Sequence, residues 1–492
     1  MTAAPLRPVA RIVRTSARLA LWASVTITAA AAILLDRLAH PLPTGYEEEI
    51  ESDQARFAGV DFAAMPEVRM LREYVAIDTS HPDPDELAAA EFLAGHLRAM
   101  GLEPHVERLG EKNANVWALL EGRRPEALVL HGHLDVEPLF DPALWEHAPL
   151  GGEIEGPWIY GRGMYDMKSL TVAQLFALGH LAARARAGEP PERSVLFLAT
   201  SSEEIGSDLG TRWILAEHPE LRRRMWAVLT EGGVVEATGP TRIKYWGIEF
   251  AQKRFAGLTL CARERTRLDE IHAALLASSQ GDPRHPLAPV VDRFLEAYAP
   301  TRSAEFLRRR LSGGSALALD APRFAQLTPF LKALYRDEVY PFRVAAAADG
   351  SHELKVLLHL LPGSELADVA PRLLPDELTW GVTRSAWEQP VTETASPLDH
   401  GVYRALEAVT RTRYPDVPVG PYFLPWSATD ARYFRAAGIP TYGYSPFPVV
   451  VTDTMNIGRP EERMQLPAFV DGVRLYQRVV SHIAADEFSA GD

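Results

Sequence analysis

Apolar and polar positions along this chain fall into blocks whose period changes. Asp85–Met100 repeats apolar side chains at helical spacing and stops at Gly101, a residue suited to ending a helix. Ala127–Leu130, Ser194–Thr200 and Ala227–Thr230 are short continuous apolar runs, the pattern of strands buried on both faces. Met167–Ala187 between them predicts a long amphipathic helix. Strands alternating with helices in this way imply an α/β fold: a mostly parallel sheet with helices on both faces. Ligands then gather at the carboxyl ends of the strands.

The pattern changes after about Gly239. Phe255–Ala262 and Leu354–Leu361 look like strands, and Leu268–Ser278 and Pro329–Tyr335 like helices. These predict an inserted α+β lid over 241–375. A helix at Pro397–Thr410 and a strand at Thr441–Tyr444 would return to the first sheet. The expected division is therefore 60–240 and 376–492 for the two parts of one domain, with the lid between them.

Residues 1–45 read as a membrane anchor or signal segment. Leu19–Leu35 carries no charge and is preceded by Arg7, Arg11, Arg14 and Arg18. This stretch is near the lower limit for a membrane span, about 20 residues being usual. The basic flank would stay cytoplasmic and place the rest of the chain outside, in the periplasm or extracellular space. A cleaved signal, leaving a secreted protein, is the alternative.

Composition narrows the chemistry. The 492 residues are 47% hydrophobic and 24% charged, with a net charge of -14, so an anionic nucleic acid is not an expected partner. Cys261 is the one cysteine, which excludes an internal disulfide and a thiolate cage. Any metal must be held by His, Asp and Glu. No G-x-S-x-G or G-x-G-x-x-G run follows a strand, which argues against a serine hydrolase elbow and a dinucleotide fold.

Four polar runs sit where such chemistry would be placed. His131-Gly-His-Leu-Asp135 follows a strand; His133 can ligate zinc, and Asp135, two residues on, can orient its ring. Asp166, just before the long helix, is either a helix cap or a carboxylate able to bridge two metal ions. In Ser201-Ser-Glu-Glu-Ile-Gly206 one glutamate can hold metal while the other takes a proton from water. Glu231, in Thr230-Glu-Gly-Gly233, is a further carboxylate or simply a polar turn residue.

Together, HGHLDVEP, WIYGRGMYDMKS, SSEEIG, LTEGG, LLPG and SATDARYFRAAGIPTYGYSP resemble the M20 family of zinc metallopeptidases and aminoacylases. The carboxypeptidase S and N-acyl-amino-acid hydrolase branch looks closest. The resemblance implies a zinc-exopeptidase-like fold holding one or two Zn(2+) ions. His133 and Glu231 would hold one ion, Glu204 the other, and Asp166 would bridge. Asp135 would orient His133, and Glu203 would be the general base. The implied reaction is hydrolysis of an amide bond, freeing a peptide's C-terminal residue or splitting an N-acyl amino acid. Lids of this family often pair, so a homodimer is also implied.

The chain departs from that pattern in three places. The family's C-terminal zinc histidine is missing from Thr454–Arg463, where Asn456 or Asp453 would be oxygen substitutes. The lid run Cys261–Leu268 lacks the family's histidine loop; Arg263, Arg265 and Arg267 either replace its charge or form an exposed face. His359 stands where the family often has a lid arginine. The alternative function is therefore a catalytically impaired relative that binds a metabolite or a protein partner.

Overall fold

A computed structural model of the chain describes residues 59–485 apart from 238–241, 278–286, 299–300, 302–328, 348, 374–381, 389–394 and 455. Within the described residues the α/β expectation holds. A ten-stranded mixed sheet forms the centre. Arg124–His133 runs parallel to Arg193–Thr200 on one side and to Met225–Thr230 on the other, and Thr441–Gly443 continues parallel beyond. The flanks are antiparallel: Ala114–Leu120 against Arg193–Thr200, and Thr441–Gly443 against Ile243–Gln252.

The period-two geometry of a strand explains how this centre is buried. Leu128 and Leu130 face one apolar cluster, with the helices Pro66–Val75, Glu86–Ala99, Ser169–Arg186 and Leu466–Ala485. Ala127 and Val129 face the opposite cluster, with Ile214 and Phe434. Helices therefore cover both faces. Asp85 caps the helix Glu86–Ala99 by accepting from Ala88 N at 3.0 Å, and Gly101 follows its end at φ +79°.

The long helix starts at Ser169, later than its apolar pattern suggests. Met164–Lys168 forms an irregular turn in which Asp166 (φ -119°, ψ 88°) and Met167 are not helical. Asp166 is thus not a helix cap.

The lid region carries its own sheet, of which Arg254–Ala262 and His352–Leu360 are the central antiparallel pair. Its sheet does not change over at 241 and 375. Ile243–Gln252 still pairs in the large sheet, while Thr383–Glu388 pairs with Arg254–Ala262 in the small one. Strand pairing decides this, because Ile243–Gln252 is apolar enough to suit either sheet and Thr383–Glu388, with the sequence TRSAWE, has too few apolar positions to announce a strand.

The expected membrane anchor is corrected here. No helix among the described residues is long and apolar enough to cross a membrane. Leu19–Leu35, on which the anchor rested, lies outside the described residues. The membrane partner and the membrane-anchored location outside the cytoplasm are withdrawn with it. The homodimer is withdrawn too. Within this chain Leu258, Leu260, Val356 and Leu358 of the lid sheet already pack on Leu268 and Ile271 of the helix Arg265–Ala277 and on Val369 of Leu366–Leu373.

Candidate metal centre

Three parallel strands end side by side, and their carboxyl ends deliver the site. Arg124–His133 ends in His133, Arg193–Thr200 leads into Ser201–Glu204, and Met225–Thr230 leads into Glu231. The irregular turn before the long helix brings Asp166 in from the side.

His133 is the hub. Its Nδ1 donates to the backbone carbonyl of Asp135 at 2.8 Å, which leaves Nε2 facing the carboxylates. Nε2 lies 2.9 Å from Asp166 Oδ1 and 3.9 Å from Glu231 Oε1. Two groups can each offer donor atoms within 4.8 Å of one another: His133, Asp166 and Glu204; and His133, Glu203 and Glu231. All four sequence-predicted ligands, and Glu203 with them, therefore converge. The second group includes the residue expected to act as base.

Asp135 is fully buried, and its carboxylate lies beside the His133 ring while also reaching other groups. Oδ1 is 3.6 Å from His133 Nδ1, while Oδ2 is 2.8 Å from His81 Nε2. The carboxylate also accepts from Glu203 N at 3.0 Å and Glu204 N at 3.1 Å. It therefore anchors the Glu203–Glu204 turn as well as standing behind His133.

The electrostatics favour a cation. Burial pushes Glu203 well above the usual carboxylate range, reinforced by Asp430 and opposed by Arg432. Burial and then Asp166 do the same to Glu204, and raise Glu231 to about 7. Burial alone would lower His133, but Asp135, Asp166 and Glu231 outweigh it and hold the ring well above its ordinary value. Glu203 Oε1 and Glu204 Oε1 are buried with no hydrogen-bond partner among the described residues. Buried carboxylates left in this state are costly unless a positive charge joins them. One imidazole nitrogen among several carboxylate oxygens is a donor set that suits zinc. The residues fit one or two such ions.

The sequence profile of peptidase family M20/M25/M40 matches residues 129–482, well over half of the chain. The chain belongs to this family. It is 25% identical to aminoacylase-1 of Sus scrofa over 448 residues, which cover 85% of this chain and 96% of the relative. A shorter stretch of 134 residues is 38% identical to succinyl-diaminopimelate desuccinylase of Paracoccus denitrificans, covering 27% and 34% of the two chains. The M20 metallo-carboxypeptidase Sso-CP2 of Sulfolobus solfataricus shares the fold with a TM-score of 0.64 at 18% identity, over 85% of this chain and 99% of that one. Human carnosine dipeptidase 1 does so with a TM-score of 0.63 at 15% identity, over 90% and 100%. Membership in the M20 family supports a metal-dependent amide-hydrolase mechanism, and the converging His, Asp and Glu side chains agree with it.

The three departures from the family pattern have structural counterparts. Asp453 joins neither cluster; it is buried and pairs with Arg463 at 3.1 Å. His359 is packed within the lid, stacked on Phe255 at 4.1 Å. Burial, aided by Lys253, lowers His359 to about 3, so it is uncharged near neutral pH and a poor partner for an anion. Arg265 and Arg267 pair with Asp269 and Glu270 on their own helix, and Arg263 is exposed.

Two neighbours of the site were not singled out by the sequence. Arg432 is buried, with Nη1 3.6 Å from Glu203 Oε1; its Nε and Nη1 have no hydrogen-bond partner among the described residues. It lies in the SATDARYF run, which was the available signal. His81 behind Asp135 had no signal, being 54 residues away.

Proposed function

We propose that this chain hydrolyses the amide bond of a small substrate, an N-acyl amino acid or the C-terminal residue of a peptide. In this reading His133 and Glu231 would hold one zinc ion, Glu204 would hold a second and Asp166 would be shared between them. The reading places the chain with the carboxypeptidase S and N-acyl-amino-acid hydrolase branch. Bound zinc supplies Lewis acidity to the substrate carbonyl and to water. Glu203 takes a proton from the attacking water and returns it to the leaving amine. Asp135 holds the Glu203–Glu204 turn and backs His133. Arg432 places a positive charge beside Glu203.

The observation that carries this reading is the pair of candidate ligand groups that meet at His133, one with Asp166 and Glu204 and the other with Glu203 and Glu231. Elemental analysis of the purified chain, paired with a panel of N-acyl amino acids and dipeptides, tests it. Zinc bound to the protein is expected, with turnover lost on chelation. Glu203→Gln is expected to lower kcat by about 10²–10⁴-fold, the usual contribution of a positioned base. A chain that holds no zinc, or a Glu203→Gln variant with full turnover, refutes it. The absence of histidine from Thr454–Arg463 favours one other reading, a catalytically impaired relative that binds a metabolite or protein. Chelator-sensitive turnover eliminates that reading.

A further inference from the structure

The Thr454–Arg463 run offers no histidine, yet through a different residue it reaches the turn that carries Asp166. Glu462 is 1% exposed and makes a compact set of contacts with the turn that presents Asp166. Its Oε1 accepts from Tyr165 N at 2.8 Å. Its Oε2 accepts from Arg162 Nη1 at 2.8 Å and from Gly163 N at 3.3 Å. Its backbone carbonyl accepts from Gly161 N at 3.0 Å. Glu462 therefore holds donors at positions 161, 162, 163 and 165, next to the carboxylate at 166.

Arg162 is itself 1% exposed and ties the same turn elsewhere, donating to Pro138 O at 2.8 Å and Arg459 O at 3.2 Å. Asp166 and Met167 lie outside helical φ/ψ, so no regular hydrogen-bond ladder sets this turn. Backbone bonds from Lys168 N to Gly163 O and from Arg162 N to Pro149 O hold part of it, and the Glu462 carboxylate supplies the acceptors for the Gly163 and Tyr165 amides between them. Neighbouring Glu461 points the other way. It accepts from Glu146 N at 2.6 Å, and from His147 N at 3.1 Å and Nδ1 at 2.7 Å, in an outer loop.

We propose that Glu462 is a positioning residue of the metal site: it touches no ion, but sets where the Asp166 carboxylate lies and so sets the affinity for zinc. The proposal rests on the hydrolase reading for its metal, while the placement of the turn stands by itself. Replacing Glu462 by glutamine turns one acceptor into an NH2 group. That group must face either the Arg162 guanidinium or a backbone N–H, donor against donor.

The test uses the full chain with Glu462→Gln, and with Glu461→Gln as the control. Hydrogen exchange of the metal-free proteins should show the Gly163 and Tyr165 amides exchanging at least tenfold faster in Glu462→Gln than in the parent. Competition with a zinc chelator should show affinity lowered about 10–100-fold, the usual effect of losing a partner behind a ligand. Excess zinc should then restore turnover, which a general loss of fold would not allow. Glu461→Gln should leave both readings within about threefold of the parent, since its contacts are to the outer loop. Unchanged exchange at Gly163 and Tyr165, or equal zinc loss in the two variants, overturns the proposal. A parent that takes up no zinc refutes the hydrolase reading instead, and the exchange measurement still judges the role of Glu462.

Discussion

Arg435 and Glu249 form a buried ion pair whose removal should be among the most damaging single changes outside the metal cluster. Arg435 Nη1 and Nη2 donate to Glu249 Oε1 and Oε2 at 2.8 and 2.6 Å, in a two-point fork. The side chains are 2% and 0% exposed. Arg435 also donates to Ser396 Oγ at 3.0 Å and to Thr441 O at 2.7 Å, and Glu249 Oε2 accepts from Gly443 N at 3.2 Å. Arg435→Met keeps the aliphatic volume but strands Glu249 as a buried charge with the Gly443 amide as its main remaining donor. Breaking a buried pair from one side costs about 3–5 kcal/mol, a large share of a typical total near 5–15 kcal/mol. Urea unfolding followed by tryptophan fluorescence measures it. The double variant Glu249→Gln/Arg435→Met should lie about 2 kcal/mol above the sum of its single variants, because each alone leaves the other group stranded. A loss below about 1 kcal/mol for Arg435→Met, or strict additivity, refutes the reasoning. The pair also holds the short helix Ala431–Ala436 against the strand Ile243–Gln252, so Arg432 beside Glu203 depends on it.

Acid should loosen the lid through His359, whose folded value of about 3 lies below the ordinary 6.5. The neutral ring is favoured in the folded state, so nothing is lost above pH 6.5; as pH falls from 6.5 toward 3 the unfolded chain gains a proton that the folded chain refuses. The difference reaches about 2 kcal/mol at pH 5. His359→Phe keeps the stack on Phe255 and should narrow the gap between stabilities measured at pH 7 and pH 5; an unchanged gap counts against this. A Cβ on Gly443 would collide with the backbone carbonyl of Glu231 and approach the Glu249 side chain to 2.8 Å. Gly443→Ala should therefore destabilise the fold and weaken zinc uptake together, whereas a variant with normal melting and normal metal content contradicts that geometry.

How far the molecule can be read from its residues depends on the range of the physics involved. Apolar runs such as Ala127–Leu130 and Ser194–Thr200 announce themselves because burial on two faces needs no distant information. The helix Glu86–Ala99 is equally plain, since its cap and its terminating glycine are local. His133, Asp166, Glu203, Glu204 and Glu231 were legible because polar residues at strand ends and helix starts stand out against those apolar runs, and their order resembles one family.

Other features are set by contacts far apart in the chain. Whether Ile243–Gln252 joins the large sheet or the lid is decided by its neighbours, not by its composition. The packing of His359 depends on Phe255, about a hundred positions away. The partners of Glu462, Arg432 and His81 lie hundreds or tens of residues distant.

Residue order alone thus determined the α/β class, the order of its elements and the carboxylates that gather at the strand ends, because hydrophobic periodicity and capping act over a few residues. Tertiary structure alone decided which charges meet in the dry interior. Burial raises the cost of an isolated charge until only a partner brought in by the fold, such as Arg162 for Glu462, makes it tolerable.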